Sequence, residues 1–135
     1  VDLRRALETE IAAQAAAQRS KRDLTAIDNA LAAISQAVEN GGDGGKEDVA
    51  FHRSIARATG NPYFLTPLAF VSQFLEAATR VTRGNEARHA DLMRAVLQEH
   101  QAIVDAIRRQ DVEGAREAAR VHMVNAAKRL RQAHR

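Results

Sequence analysis

Apolar residues recur along almost the whole chain in steps of three and four, the spacing that gathers them on one face of an α-helix. Leu3, Leu7 and Ile11, flanked by Ala12, Ala15 and Ala16, form the first such stripe. Ser20 and Asp23 read as a capping box that starts a second helix, whose stripe of Leu24, Ile27, Leu31, Ile34 and Val38 suits packing against other helices at a shallow angle. The glycine-rich run from Gly41 to Gly45 ends it. That run reads as a linker and not as a phosphate-binding loop, because no strand precedes it and no Lys-Ser or Lys-Thr follows.

A third helix, through Val49, Phe51, His52, Ile55 and Ala56, stops at Thr59-Gly60-Asn61-Pro62. A fourth carries Phe64, Leu68, Val71, Phe74, Leu75 and Ala78 and is expected to end at Gly84. A fifth follows with Leu92, Met93, Val96, Leu97, His100, Ile103, Val104 and Ile107. Gln110-Asp111 turns the chain into a last helix with Ala115, Ala118, Ala119, His122, Ala126 and Leu130. No β alternation and no repeat competes. The pattern predicts an all-α fold, an antiparallel bundle of six or seven helices in one domain over residues 1–135.

Composition supports that picture. The 135 residues are 45% hydrophobic but only 4% aromatic, with two prolines, which fits a helical domain able to bury a core. No run of about 18 apolar residues or secretory leader is present, so no membrane partner is expected and the cytoplasm is the default location. Without cysteine there are no disulfides and no thiolate ligands. The 20 Lys and Arg are interspersed with 17 Asp and Glu, as on a solvated helical surface, so the net charge of +3 does not mark a nucleic-acid face. The densest basic stretch, Lys128, Arg129, Arg131 and Arg135, complements the dipole at a helix C-terminus. Because the chain starts at Val1, without Met and already in a helical pattern, it is expected to be a fragment lacking an N-terminal part.

Four residues break the apolar stripes. Asp48 and His52 are one helical turn apart on one face, and His100 and His122 each occupy a core-facing position, where an imidazole is costly without a partner. In an antiparallel hairpin turning at Gln110-Asp111, His100 and His122 are equally far from the turn, at roughly 15 Å, and His52 lies a similar distance before Gly60. One carboxylate and three imidazoles can therefore meet at one level. Such a donor set suits zinc, nickel, manganese or iron(II) better than magnesium or calcium. The structural alternatives are that each histidine is a core residue with a hydrogen-bond partner, and that Asp48 stabilises the start of its helix. His89 and His134 read as surface residues.

Several strings together carry a family resemblance: Arg4-Arg5-Ala6-Leu7-Glu8; Asp48-Val49-Ala50-Phe51-His52 followed by Ala58-Thr59-Gly60-Asn61; Glu99-His100 with Ile103, Ala106, Ile107 and Asp111; and Ala115 to His122. Across nearly its whole length the chain resembles the effector-binding C-terminal domain (FCD) of FadR-subfamily GntR transcription regulators, in their metal-containing branch. That resemblance implies a homodimeric regulator that reads operator DNA through an N-terminal winged helix-turn-helix, absent from this chain. It also implies a divalent ion, zinc foremost, with nickel, manganese or iron as alternatives, held by Asp48, His52, His100 and His122. A small carboxylate or sugar acid would bind beside the ion as effector, so that the metal is a docking point and not a catalyst. Arg4 would grip that acid, or else pair structurally with Glu8. Arg80 and Asn125 are further effector candidates, with plain surface exposure as the alternative. The metal ligands argue for a small polar acid over an acyl-CoA, and lactate, pyruvate, glycolate, gluconate and dicarboxylates would all fit.

Two other functions stay open on the sequence. One is a metal-dependent hydrolase, in which Glu47 or Glu99, each next to a candidate ligand, would act as base. A di-iron site fits less well, because Val49, Leu97 and Ala119 stand where Glu-x-x-His motifs need Glu. The other is a metal-free helical interaction module.

Overall fold

A computed structural model describes residues 2–133, with the side chains of all of these except 74–79. His134 and Arg135, and the side chains of Phe74, Leu75 and Ala78, therefore lie outside the described residues. The bundle consists of α1 (Asp2–Gln18), α2 (Lys21–Glu39), α3 (Gly45–Ala58), a 3-10 turn (Pro62–Phe64), α4 (Leu65–Arg88), α5 (Ala90–Arg108) and α6 (Val112–Ala133). No strand occurs among the described residues. Nor is any helix among them long and apolar enough to cross a membrane.

Local chemistry sets most of the boundaries. Asp23 N–H donates to Ser20 Oγ at 3.0 Å and Ser20 N–H donates to Asp23 Oδ2 at 2.9 Å, so the expected capping box starts α2. Gly44 lies in the left-handed region at φ 75° immediately before α3, and a Cβ there would press on the Val38 and Ile34 side chains. At the far end of α3, Asn61 N–H donates to Thr59 Oγ1 and Tyr63 N–H to Asn61 Oδ1, which explains the Thr-Gly-Asn string as an end-of-helix device. Gln110 at φ 56° ends α5, and Gly114 N–H donates to Asp111 Oδ1 at the start of α6.

One boundary differs from expectation. Gly84 does not divide two helices: α4 continues through it to Arg88, and the break comes at His89, whose backbone is extended. An isolated glycine costs a helix only about 1 kcal/mol relative to alanine. Here the turn around Gly84 supplies Thr82 and Glu86 to the interior, and that tertiary anchoring outweighs the cost.

Packing follows from side-chain size. α1 lies chiefly along α6, α2 along α3, and α5 along α6. The alanines Ala12, Ala15, Ala16, Ala115 and Ala119 are all in the core, where small residues let helix axes approach closely. Phe51, Ile27, Ile103, Ile107 and Val104 fill the rest, each fully buried side chain contributing roughly 1.5–3 kcal/mol. The α1 stripe is covered only from Leu7 onward, and Leu3 is left 65% exposed. His100, only 1% exposed, is among the largest fully buried side chains. A polar ring at the centre of an apolar core is what the rest of the site has to accommodate.

Candidate metal centre

The first turns of α3 deliver Asp48 and, one turn later, His52; the middle of α5 delivers His100, and the middle of α6 delivers His122. All three histidines are buried, and each offers a ring nitrogen within 4.8 Å of the other two. The His100 and His122 rings have centroids 4.6 Å apart and cross at 71°, while His52 and His122 are nearly parallel at 5.6 Å. Asp48 Oδ1 lies 3.4 Å from His52 Nε2 and 3.3 Å from His100 Nε2. The level meeting of three helices expected from residue counting is present.

Acidic groups stand behind two of the rings. His52 Nδ1 is 2.8 Å from Glu8 Oε1 on α1, and His122 Nδ1 is 2.6 Å from Glu99 Oε1 on α5. A carboxylate behind Nδ1 fixes the ring and leaves Nε2 facing inward, the arrangement that commonly backs metal-binding histidines. The carboxylates are themselves anchored. Arg4 Nε donates to Glu8 Oε2 at 2.5 Å, Arg83 donates to Asp48 Oδ2 at 2.9 Å, and Glu99 accepts two bonds from Arg129 and one from Asn125. Arg129 also reaches Glu86 on α4 at 3.0 Å, so one buried guanidinium ties three helices.

Charge follows from this geometry. Burial opposes ionisation of Glu8, yet His52 and Arg4 hold it down at about 2. Burial likewise opposes a charge on His52, but Glu8 and Asp48 raise it to about 9. Asp48 stays well below the usual carboxylate range, against burial, through His52 and His100. His122 is pushed down to about 4, by burial first and by the neighbouring His100 and His52 next, and is neutral at pH 7. Glu99 is held at about 2, against burial, by His122 and Arg129.

The test of fit is hydrogen bonding. His52 Nε2 and both ring nitrogens of His100 are buried with no hydrogen-bond partner, since the contacts to Asp48 are long and poorly directed. Buried polar atoms are rarely left unpaired, at about 1–3 kcal/mol each. Imidazole nitrogens converging beside a carboxylate, in a chain without thiolates, are the donor set of a borderline divalent cation once the His52 proton is displaced. The residues present therefore fit such an ion.

Among the described residues, a narrower and a wider cavity open onto this centre. The narrower, of about 80 Å³, reaches Asp48, His100 and His122; the wider, of about 470 Å³, reaches His52. Arg4, Asp43 and Arg83 belong to the walls of both. Arg4 pairs with Glu8, as the structural alternative expects, and also lines both cavities. Arg80 is exposed on the rim of the wider cavity. Asn125 is half-buried and bound to Glu99 instead of being a plain surface residue.

Glu8, Arg83, Glu86 and Arg129 had not been singled out as site residues. For two of them the sequence held a signal. Glu8 falls one position from the Leu7 stripe at a core-facing spacing, and Arg129 lies two turns beyond His122 on the same helical face. Arg83 and Glu86 carried none once a helix break was placed between them.

The match to known proteins agrees with the fold. The model of the FCD domain family matches residues 1–125, and the chain belongs to that family. Among curated relatives, the galactonate operon transcriptional repressor of Escherichia coli K12 is 31% identical over 136 residues, covering 97% of this chain and 56% of the repressor. The HTH-type transcriptional repressor NanR of Escherichia coli K12 is 34% identical over 121 residues, covering 90% of this chain and 45% of NanR. The chain therefore spans about half the length of the curated relatives it matches.

Proposed function

We propose that this chain is the ligand-sensing domain of a bacterial transcription regulator, that Asp48, His52, His100 and His122 hold one divalent metal ion, zinc foremost, and that a small carboxylate or sugar acid binds beside it. The observation that carries the metal is the set of buried, unpartnered nitrogens on His52 and His100 facing His122 and Asp48. The regulator as a whole is a homodimer in the cytoplasm that reads operator DNA through a winged helix-turn-helix outside this chain. Support for that part comes from the FCD family and from relatives that are transcriptional repressors. The same relatives speak against the hydrolase reading, and the chain is read as a regulator and not an enzyme.

A bound divalent ion would supply positive charge and free coordination positions for a carboxylate oxygen. The chain's own groups do the rest. Glu8 and Glu99 hold two rings by Nδ1, so the Nε2 atoms stay aimed at the centre. Arg4 places a guanidinium at the cavity wall, where its planar fork suits a carboxylate, and Arg80 on the wider cavity's rim adds a second cation. Asn125 acts on the effector through Glu99 and the His122 ring that Glu99 positions. Because α1, α3, α5 and α6 all contribute side chains, an acid bound at the centre shifts several helices at once, which is what transmission to a DNA-binding domain requires.

Elemental analysis of protein purified without chelator or a nickel column tests the reading, followed by thermal melts with a panel of small acids. Near one equivalent of zinc, nickel, manganese or iron, with stabilisation by one class of acid, is the expected result. Protein that holds no metal even after divalent ions are added would leave a metal-free helical module.

A further inference from the structure

The last turns of α4 reach two of the candidate metal ligands from two sides. Arg83 donates to Asp48 Oδ2 at 2.9 Å, while Oδ1 of the same carboxylate lies 3.4 Å from His52 Nε2 and 3.3 Å from His100 Nε2. The two oxygens are thus divided, one held by α4 and one turned to the centre. Glu86, three residues on and so on the same face, accepts from Arg129 Nε at 3.0 Å. Arg129 in turn holds both oxygens of Glu99, and Glu99 Oε1 lies 2.6 Å from His122 Nδ1. Asp48 on α3 and His122 on α6 are therefore each linked to one short stretch of α4.

That stretch is held by polar groups. Of the side chains from Arg80 to Arg88, the buried ones are Thr82 and Glu86, and Val81 is 48% exposed. Gly84, a poor helix former, lies between the two linking residues. A segment with little buried apolar surface opens locally at low cost, so its ion pairs to the centre decide how well it docks. We infer that Arg83 and Glu86 are positioning residues for Asp48 and His122, and that metal binding and the docking of the α4 end from Arg80 to Arg88 strengthen each other. Such coupling is reciprocal by thermodynamic necessity, so occupancy of the centre is passed to α4. This rests on the metal-binding reading of the centre and names the element that would respond to it.

Amide hydrogen exchange with and without zinc tests the inference first. In metal-free protein, residues 80–88 should exchange faster than the middle of α5. Zinc at about ten times its Kd should slow them roughly tenfold, as for an opening that releases the ion. Chelator competition then tests the residues. Arg83→Met should lower zinc affinity roughly 10–100-fold, with Glu86→Ala nearer the lower figure, because it acts through Arg129 and Glu99. Arg83→Lys keeps a cation facing Asp48 and should recover part of the loss, which a packing role would not give. Exchange over 80–88 that zinc leaves unchanged, or either truncated variant binding zinc as tightly as the parent, would overturn the inference while the metal reading stands. Parent protein that takes up no zinc would overturn the reading of the centre and this inference with it.

Discussion

His122 Nδ1 lies 2.6 Å from Glu99 Oε1, so a carboxylate on α5 sets the orientation of a ring on α6. With Nδ1 donating, only Nε2 can face the centre. Glu99→Gln keeps the shape but weakens the acceptor, and metal affinity should fall by roughly 10–100-fold while the fold persists. Competition against a chelator of known strength measures this. Unchanged affinity would mean that Glu99 serves packing alone.

Removing a ring is more severe. His100→Ala or His122→Ala should lower metal affinity by orders of magnitude and abolish the rise in melting temperature on adding zinc. Without metal, His100→Ala should lose no hydrogen bond relative to the parent, because both His100 nitrogens lack partners there in any case, whereas His122→Ala also removes the bond to Glu99. A His122→Ala protein with full metal content would sink the ligand assignment.

Acidity should act in opposite senses on the two states. His52, at about 9 when folded against an ordinary 6.5, carries a proton at neutral pH that an entering ion must displace. Metal affinity should therefore climb by up to about tenfold per pH unit until pH 9, with proton release on binding. In metal-free protein a raised histidine contributes stability fully below pH 6.5 and loses it as the pH passes 9. Melts between pH 6.5 and 9, with chelator and with zinc, should diverge; parallel curves would count against the coupling. At the acid end, Glu8 and Glu99, held at about 2 against an ordinary 4.5, stabilise above pH 4.5 and lose that contribution as the pH falls through 2.

Arg129→Met leaves Glu86 and Glu99 facing each other without their cation. Breaking a buried pair in this way costs about 3–5 kcal/mol, readable in urea denaturation. Adding Glu86→Gln should return part of it, because one of the stranded charges is then gone. A single variant as stable as the parent would show that water already screens the pair.

The Ser20 cap serves as a control far from the centre. Ser20→Ala should cost about 1 kcal/mol of stability and leave metal affinity untouched.

The periodicity of apolar residues, the capping box and the glycine punctuation made α1 to α3, α5 and α6 legible, because these depend on interactions within a few residues. The meeting of His52, His100 and His122 was legible as well, since equal distances from a turn fix equal heights in an antiparallel pair. The passage of α4 through Gly84 was not, because a glycine's local cost is small enough for burial of Thr82 and Glu86 to reverse. The same limit hid the outer ring of the site. Arg129 stands in a basic stretch that reads as solvated, and only the approach of α4 and α5 to α6 turns it inward onto Glu86 and Glu99. Sequence alone determined the helices other than the full course of α4, and that His52, His100 and His122 face the core; tertiary structure decided which further charges turn inward and meet there, because a side chain's partner depends on helix rotation and spacing that local propensity does not encode.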